Sequence, residues 1–186
     1  MPEISDDEPD HAEQLAGTAS IHKAAWKSTL EDMQELAEKR ENNGWTTVAF
    51  PAGDTATEAP QSGNTQRFGL TYVVPSNYAE TIEEYTETAD FSSFNTYRAE
   101  EHGRVFLVTE FVAPDEEIAI YVAGNFLLRD AQGLIATAKK ENSMYSHLET
   151  LDGTHITSFK HQEPEKFFPK FEEFDPEEMR ANLDET

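Results

Sequence analysis

Residues 94–128, an apolar and β-branched stretch, constrain the fold of this chain more than any other part of it. The stretch divides into residues 94–100, a break at Glu101-His102-Gly103, and residues 104–112. Gly103 supplies the backbone freedom of a tight hairpin turn. In the second segment Val105, Leu107, Thr109 and Phe111 fall on one face and Phe106, Val108 and Val112 on the other, so it belongs inside a sheet rather than at its edge. Ala113-Pro114-Asp115-Glu116 turns the chain again, the proline presetting φ. Residues 118–122 and 126–128 then continue as strand, with a bulge expected at Gly124. The pattern predicts a three-strand antiparallel meander with helices packed on one face.

Around this centre the remaining elements follow from periodicity and punctuation. Residues 1–17 are acidic with little to bury, and read as a disordered arm. A long helix is predicted over residues 20–43, because Trp26, Leu30, Met33, Leu36 and Ala37 recur at the spacing of one stripe before Asn43-Gly44 ends it. A strand over residues 45–50 leads into a loop, residues 51–66, of a length that is uncommon in compact domains. Residues 67–74 form the next strand, and Ser76 or Asn77 caps a helix burying Tyr78, Ile82, Tyr85 and Ala89. A third helix is expected from an Asp130 cap to about Thr150, with Leu134, Ala138, Tyr145 and Leu148 inward and Lys139 and Lys140 in solvent. Residues 155–160 give a last strand, and Asp175-Pro176 opens a short helix in an acidic tail. The predicted fold class is α+β, with a mostly antiparallel sheet of about five or six strands and three main helices. One domain spans residues 18–169, between the acidic arm and a tail over residues 170–186.

Charge bounds the setting. Against 37 Asp and Glu stand 14 Lys and Arg, a formal charge of −23. In dilute salt that repulsion opposes compaction, whereas at molar salt the screening length falls to about 3 Å. A halophilic cytoplasm fits this composition best. The alternative, an acidic mimic of nucleic acid, needs its charge gathered on one face, and here the acids run through every predicted helix and both ends. No cysteine is present, which excludes disulfides, thiolate zinc sites and a cysteine nucleophile. The amino terminus lacks a basic and then apolar leader, and no apolar run reaches the length of a membrane span.

A family resemblance rests on several motifs: Gly44-Trp45, Ala52-Gly53-Asp54-Thr55, Phe68-Gly69-Leu70-Thr71-Tyr72-Val73-Val74-Pro75, Val105 to Glu110, Leu151-Asp152-Gly153-Thr154, and Ser158-Phe159-Lys160-His161 followed by Phe167-Phe168-Pro169. Over residues 20–169 the chain resembles a small family of haloarchaeal proteins of unknown function. The resemblance implies an origin and brings no activity, cofactor or catalytic residue with it.

The search for chemistry yields candidates of two kinds. Asp54 and Thr55 in the long loop, with Arg67 at its end, could orient a ligand hydroxyl or a hydrated cation. Phe167, Phe168, Phe171 and Phe174 place four aromatics in a short segment, either folded back over the sheet or presented to a protein partner. As a docking peptide the segment resembles sliding-clamp-binding peptides that end in two aromatics, but His161 and Pro164 stand where their glutamine and aliphatic belong. His155 and His161 share strand parity yet lie roughly 20 Å apart along a straight strand, too far for one ion. His147 could approach one of them, but no metal site, cofactor or catalytic residue is assigned. The lysines are too few for a nucleic-acid footprint. The expected function is a non-enzymatic binding or adaptor role. The alternative is a hydrolase-like small-molecule enzyme with its pocket between the 51–66 loop and the sheet.

Overall fold

In the computed structural model, which describes residues 7–60 and 67–175, the meander is present as β4 (Ser93–Glu101), β5 (Arg104–Ala113) and β6 (Ile118–Leu127). β5 lies in the interior of its sheet, as its two apolar faces require. β6 runs without the bulge expected at Gly124, which pairs with Leu107 in unbroken register. The glycine answers a different need: a Cβ there would sit 2.7 Å from both Thr55 Oγ1 and Tyr72 Cε1, on a neighbouring sheet.

That second sheet is the main departure from the sequence reading. Among the described residues, eight strands form two four-stranded mixed sheets, ordered β1-β6-β5-β4 and β2-β3-β7-β8, with three α-helices. β1 (Thr46–Pro51) pairs parallel with β6, and β3 (Gly69–Val73) pairs parallel with β7 (Met144–Glu149). β2 (Thr55–Glu58) and β8 (His155–His161) complete the second sheet by antiparallel pairing. The single, mostly antiparallel sheet of five or six strands is thus corrected. Two strands account for the difference: β2 is a short edge strand inside the expected 51–66 loop, and β7 lies where the residue spacing predicts the second half of the third helix.

α3 (Gln132–Glu141) stops ten residues after it starts, at Asn142 in the left-handed conformation. Asp130 lies in a 3-10 turn ahead of it rather than at its cap. In β7 Met144, Ser146 and Leu148 are fully buried on one face, while on the other Tyr145 and Glu149 are part-exposed and His147 between them is buried. α1 (Asp7–Glu41) starts well before the expected residue 20. Residues 7–17 are therefore helical rather than a disordered arm. Acidic residues at a helix amino end complement its dipole, so the composition that suggested disorder also favours this start. α2 (Ser76–Thr88) follows β3, with Pro75 at its cap position in place of Ser76 or Asn77. The helix expected beyond Asp175 lies outside the described residues.

The two sheets share one core, in which Phe50, Leu107, Phe111 and Ile120 of the first meet Leu70, Tyr72, Met144 and Leu148 of the second. Buried Tyr72 and Thr109 hydroxyls meet across the gap at 3.2 Å. The outer face of the first sheet carries α1, where Met33 and Ala37 close over Val108, Ala119, Tyr121 and Ala123, flanked by Trp26, Leu30 and Leu36. Helices on one face of a single sheet are thus replaced by a second sheet on one side and α1 on the other.

The aromatic segment folds back. Phe167 and Phe168 are completely buried and Phe171 nearly so. Phe167 stacks at 5.9 Å on Phe94, and Phe168 meets Phe126 at 5.9 Å and Phe171 at 6.2 Å. Lys139, expected in solvent, donates to the carbonyls of Phe171, Glu172 and Phe174 at 3.3, 3.2 and 2.7 Å, which ties the segment to α3. Phe174 is partly buried against the same core. Burial leaves Phe167, Phe168 and Phe171 unavailable as a docking peptide.

Candidate functional site

Asp54 and Thr55 owe their position to backbone ties reaching both sheets. Ala52 N–H donates to Ala123 of β6 at 2.8 Å, and Gly53 N–H donates to Val73 of β3 at 2.8 Å. Val73 N–H in turn donates to the Asp54 carbonyl at 2.9 Å. The segment so held forms one wall of a cleft of about 440 Å³. Opposite it stand Arg104 at the start of β5 and Asn125 near the end of β6, with Asp130 beyond. Arg104 Nη1 donates to Asn125 Oδ1 at 2.8 Å, so its guanidinium is held in place rather than free in solvent. Thr57 Oγ1 donates to the Asp130 carbonyl at 3.0 Å and closes one corner. The cleft therefore offers carboxylate acceptors, hydroxyls and one oriented cation, in a volume suited to a small solute.

Arg67 is not part of that wall. Its Nη1 lies 3.4 Å from His155 Nε2 and 3.5 Å from Ser158 Oγ on the second sheet. Ser158 Oγ is also 2.7 Å from both His155 Nε2 and His147 Nδ1. A register shift between Leu148 and Glu149 opposite the start of β8 explains this meeting. Without it His155 would share a face with His161, as straight-strand parity implies; with it His155 reaches Ser158, three residues on. The structure thus brings Asp54 and Thr55 into one site and Arg67 into another. Sequence reasoning missed Arg104 and Asn125, which meet across the β5-β6 hairpin, and Ser158, which meets His155 of its own strand, His147 of β7 and Arg67. Among the described residues no group of three or more His, Asp or Glu side chains is placed to hold a metal ion.

Among the described residues, the most buried charge plays a structural part. Glu110 on β5 receives Arg40 Nε at 3.1 Å and Nη2 at 3.2 Å, Asn95 Nδ2 at 2.7 Å, and the Tyr121 hydroxyl. Burial alone would raise its pKa, but the donors from Arg40, Tyr121 and Asn95 outweigh it and hold the carboxyl below its usual range. Arg40 also lies 4.2 Å over the Trp45 ring, fastening α1 to the first sheet. Both carboxylate oxygens are occupied, so Glu110 is not poised for acid-base work.

Two buried histidines make the fold sensitive to acid. Burial pushes His161 down to about 3, aided by the charge of His147. Burial likewise pushes His147 down to about 4, with the charges of Arg67 and His155 adding to it. An unfolded histidine titrates near 6.5, so between that value and the lowered ones the unfolded chain binds more protons. Stability is fully present above about pH 6.5 and falls as pH drops, by roughly 1.4 kcal/mol per unit for each histidine. Urea melts at fixed ionic strength should show midpoints declining from pH 7 to 4.5, with a shallower decline in His161→Gln. Equal slopes in the two proteins would contradict a neutral, buried His161.

The architecture is that of an α+β protein with two mixed sheets over a shared core. The chain belongs to a family of unknown function (DUF7529), whose model matches residues 12–169. No curated protein and no solved structure matches it. Among the described residues no helix is long and apolar enough to cross a membrane.

Proposed function

We propose that this protein binds a small polar solute in the cleft between residues 52–57 and the ends of β5 and β6, in the cytoplasm of a halophilic archaeon. The observation that carries the reading is the convergence of Asp54 and Thr55 with Arg104, Asn125 and Asp130 around one cleft. Arg104 suits an anionic group on the ligand, and Asp54 and Asp130 suit its ammonium or hydroxyl donors. The ligand class is therefore a small amino acid or hydroxy acid. The −23 charge supports the high-salt setting, where screening removes most of the self-repulsion. An adaptor role loses support, because the aromatic segment that would have carried it packs inside the protein.

Thermal melts in molar KCl, with a panel of free amino acids and hydroxy acids at millimolar concentration, test the proposal. A member present at about 100 times its Kd should stabilise the protein by about 2.7 kcal/mol. Asp54→Ala and Arg104→Gln should each remove that shift while leaving the unliganded melt unchanged, since Asp54 is exposed and Arg104 part-exposed. A panel that produces no shift, or a shift that persists in both variants, counts against this cleft.

A further inference from the structure

The contacts around Ser158 carry more chemistry than sheet packing requires. Ser158 Oγ has one proton and two imidazole neighbours at 2.7 Å, so it can donate to only one of them. His147 decides which. Its Nε2 is buried and has no partner in the structure, and as a bare lone pair that atom is less costly to leave unpaired than an N–H would be. The proton of His147 therefore sits on Nδ1 and is donated to Ser158, which leaves Ser158 O–H to donate to His155 Nε2. Arg67 Nη1, which can only donate, lies 3.4 Å from His155 Nε2 and 3.5 Å from Ser158 Oγ, both of which present lone pairs in this arrangement. His147 is itself 5% exposed, whereas His155 and Arg67 are exposed and Ser158 is part-exposed. The nucleophile, its acceptor and the cation are thus open to solvent, and the group that orients them is not.

We propose that Ser158 and His155 form a nucleophile and general base acting on small carboxylic esters, with Arg67 beside the developing oxyanion and His147 as a positioning residue. Ser158 Oγ bonds to the ester carbonyl carbon as its proton passes to His155 Nε2, and the carbonyl π electrons move onto oxygen next to the Arg67 guanidinium. The tetrahedral species collapses, the ester C–O bond breaks, and the alcohol leaves with the proton from His155. Water then attacks the acyl-serine by the same route, giving the carboxylic acid and restoring Ser158 O–H. Glu149, directly across the ladder from His155, interacts electrostatically with the imidazole and helps balance the charge it gains in the first step. Arg67 also argues against a cation at this site, because its own positive charge already lies beside His155 and Ser158. The site shares no side chain with the solute cleft, so either assignment can fail without the other.

The test uses the full chain in molar KCl, treated with a fluorophosphonate probe and mapped by peptide mass spectrometry. The probe forms a P–O bond to an activated serine and releases fluoride. Label concentrated on Ser158, and lost when the protein is unfolded, is expected. His155→Gln should lower labelling and p-nitrophenyl acetate hydrolysis at least tenfold, and Ser158→Ala should abolish the acyl-enzyme burst in a protein that circular dichroism shows to be folded, at a melting temperature somewhat below the parent's because His147 Nδ1–H loses its acceptor. For His147, rescue separates positioning from mere packing: His147→Asn keeps a donor near Nδ1 and should retain more labelling than His147→Leu at matched stability. Label spread evenly over the serines, or labelling of Ser158 that persists in His155→Gln, would overturn the proposal.

Discussion

Replacing Phe167 and Phe168 together by alanine is expected to unfold most of the protein at room temperature. Each side chain is fully buried, and truncating a buried phenylalanine costs about 3–5 kcal/mol. The two contact different neighbours, Phe94 and His161 for one, Phe126 and Phe171 for the other, so the double variant should lose well more than either single one, although adjacent positions couple and strict additivity is not expected. Their sum is comparable to the whole stability of an ordinary domain, about 5–15 kcal/mol. Either single variant should remain folded in molar KCl, with a urea midpoint well below the parent's. Circular dichroism of the three variants decides the matter. If the double variant keeps its melting temperature, the segment does not belong to the core and docking to a partner regains its footing.

What could be read from the residues depended on whether one periodicity prevailed locally. In residues 94–128 the β-branched alternation had no competitor, and the meander formed in the expected order. The α1 stripe was legible for the same reason, since Trp26, Leu30, Met33, Leu36 and Ala37 all reach the outer face of the first sheet. β7 failed because Leu134, Ala138, Tyr145 and Leu148 also fit a helical spacing, and the one stop signal, Asn142, is a weaker mark than glycine. β2 failed because four residues of Thr, Ala and Glu hide easily in a loop. Of the candidate ligand residues, Asp54 and Thr55 were findable from composition. Their partners Arg104 and Asn125 were not, because only the hairpin register and the backbone ties to Ala123 and Val73 bring them opposite. The Ser158 cluster was further from view, since it depends on a register shift that no residue type announces.

The second large effect concerns Gly69, where adding a single methyl group should cost as much as a severe core mutation. A Cβ on Gly69 would lie 1.8 Å from the carbonyl oxygen of Tyr145 and 2.6 Å from its carbonyl carbon. The obstacle is backbone, so no side-chain rotation can relieve it. The parallel β3-β7 ladder, in which Gly69 faces Tyr145 and Thr71 faces His147, must open instead. Ordinary overpacking costs about 1–3 kcal/mol, and Gly69→Ala should exceed that because the ladder is internal to its sheet. Gly17→Ala is the matched comparison: it adds the same atom with nothing within 4 Å, inside α1, where alanine is favoured over glycine by about 0.5–1 kcal/mol. Urea melts in molar KCl should therefore move in opposite directions for the two variants. Hydrogen exchange should accelerate at the amides of β7 in Gly69→Ala, beginning with Tyr145, whose N–H donates to Phe68 at 3.1 Å. A Gly69→Ala protein as stable as Gly17→Ala would mean that β3 and β7 do not approach this closely, and the close parallel pairing of the second sheet would have to be abandoned.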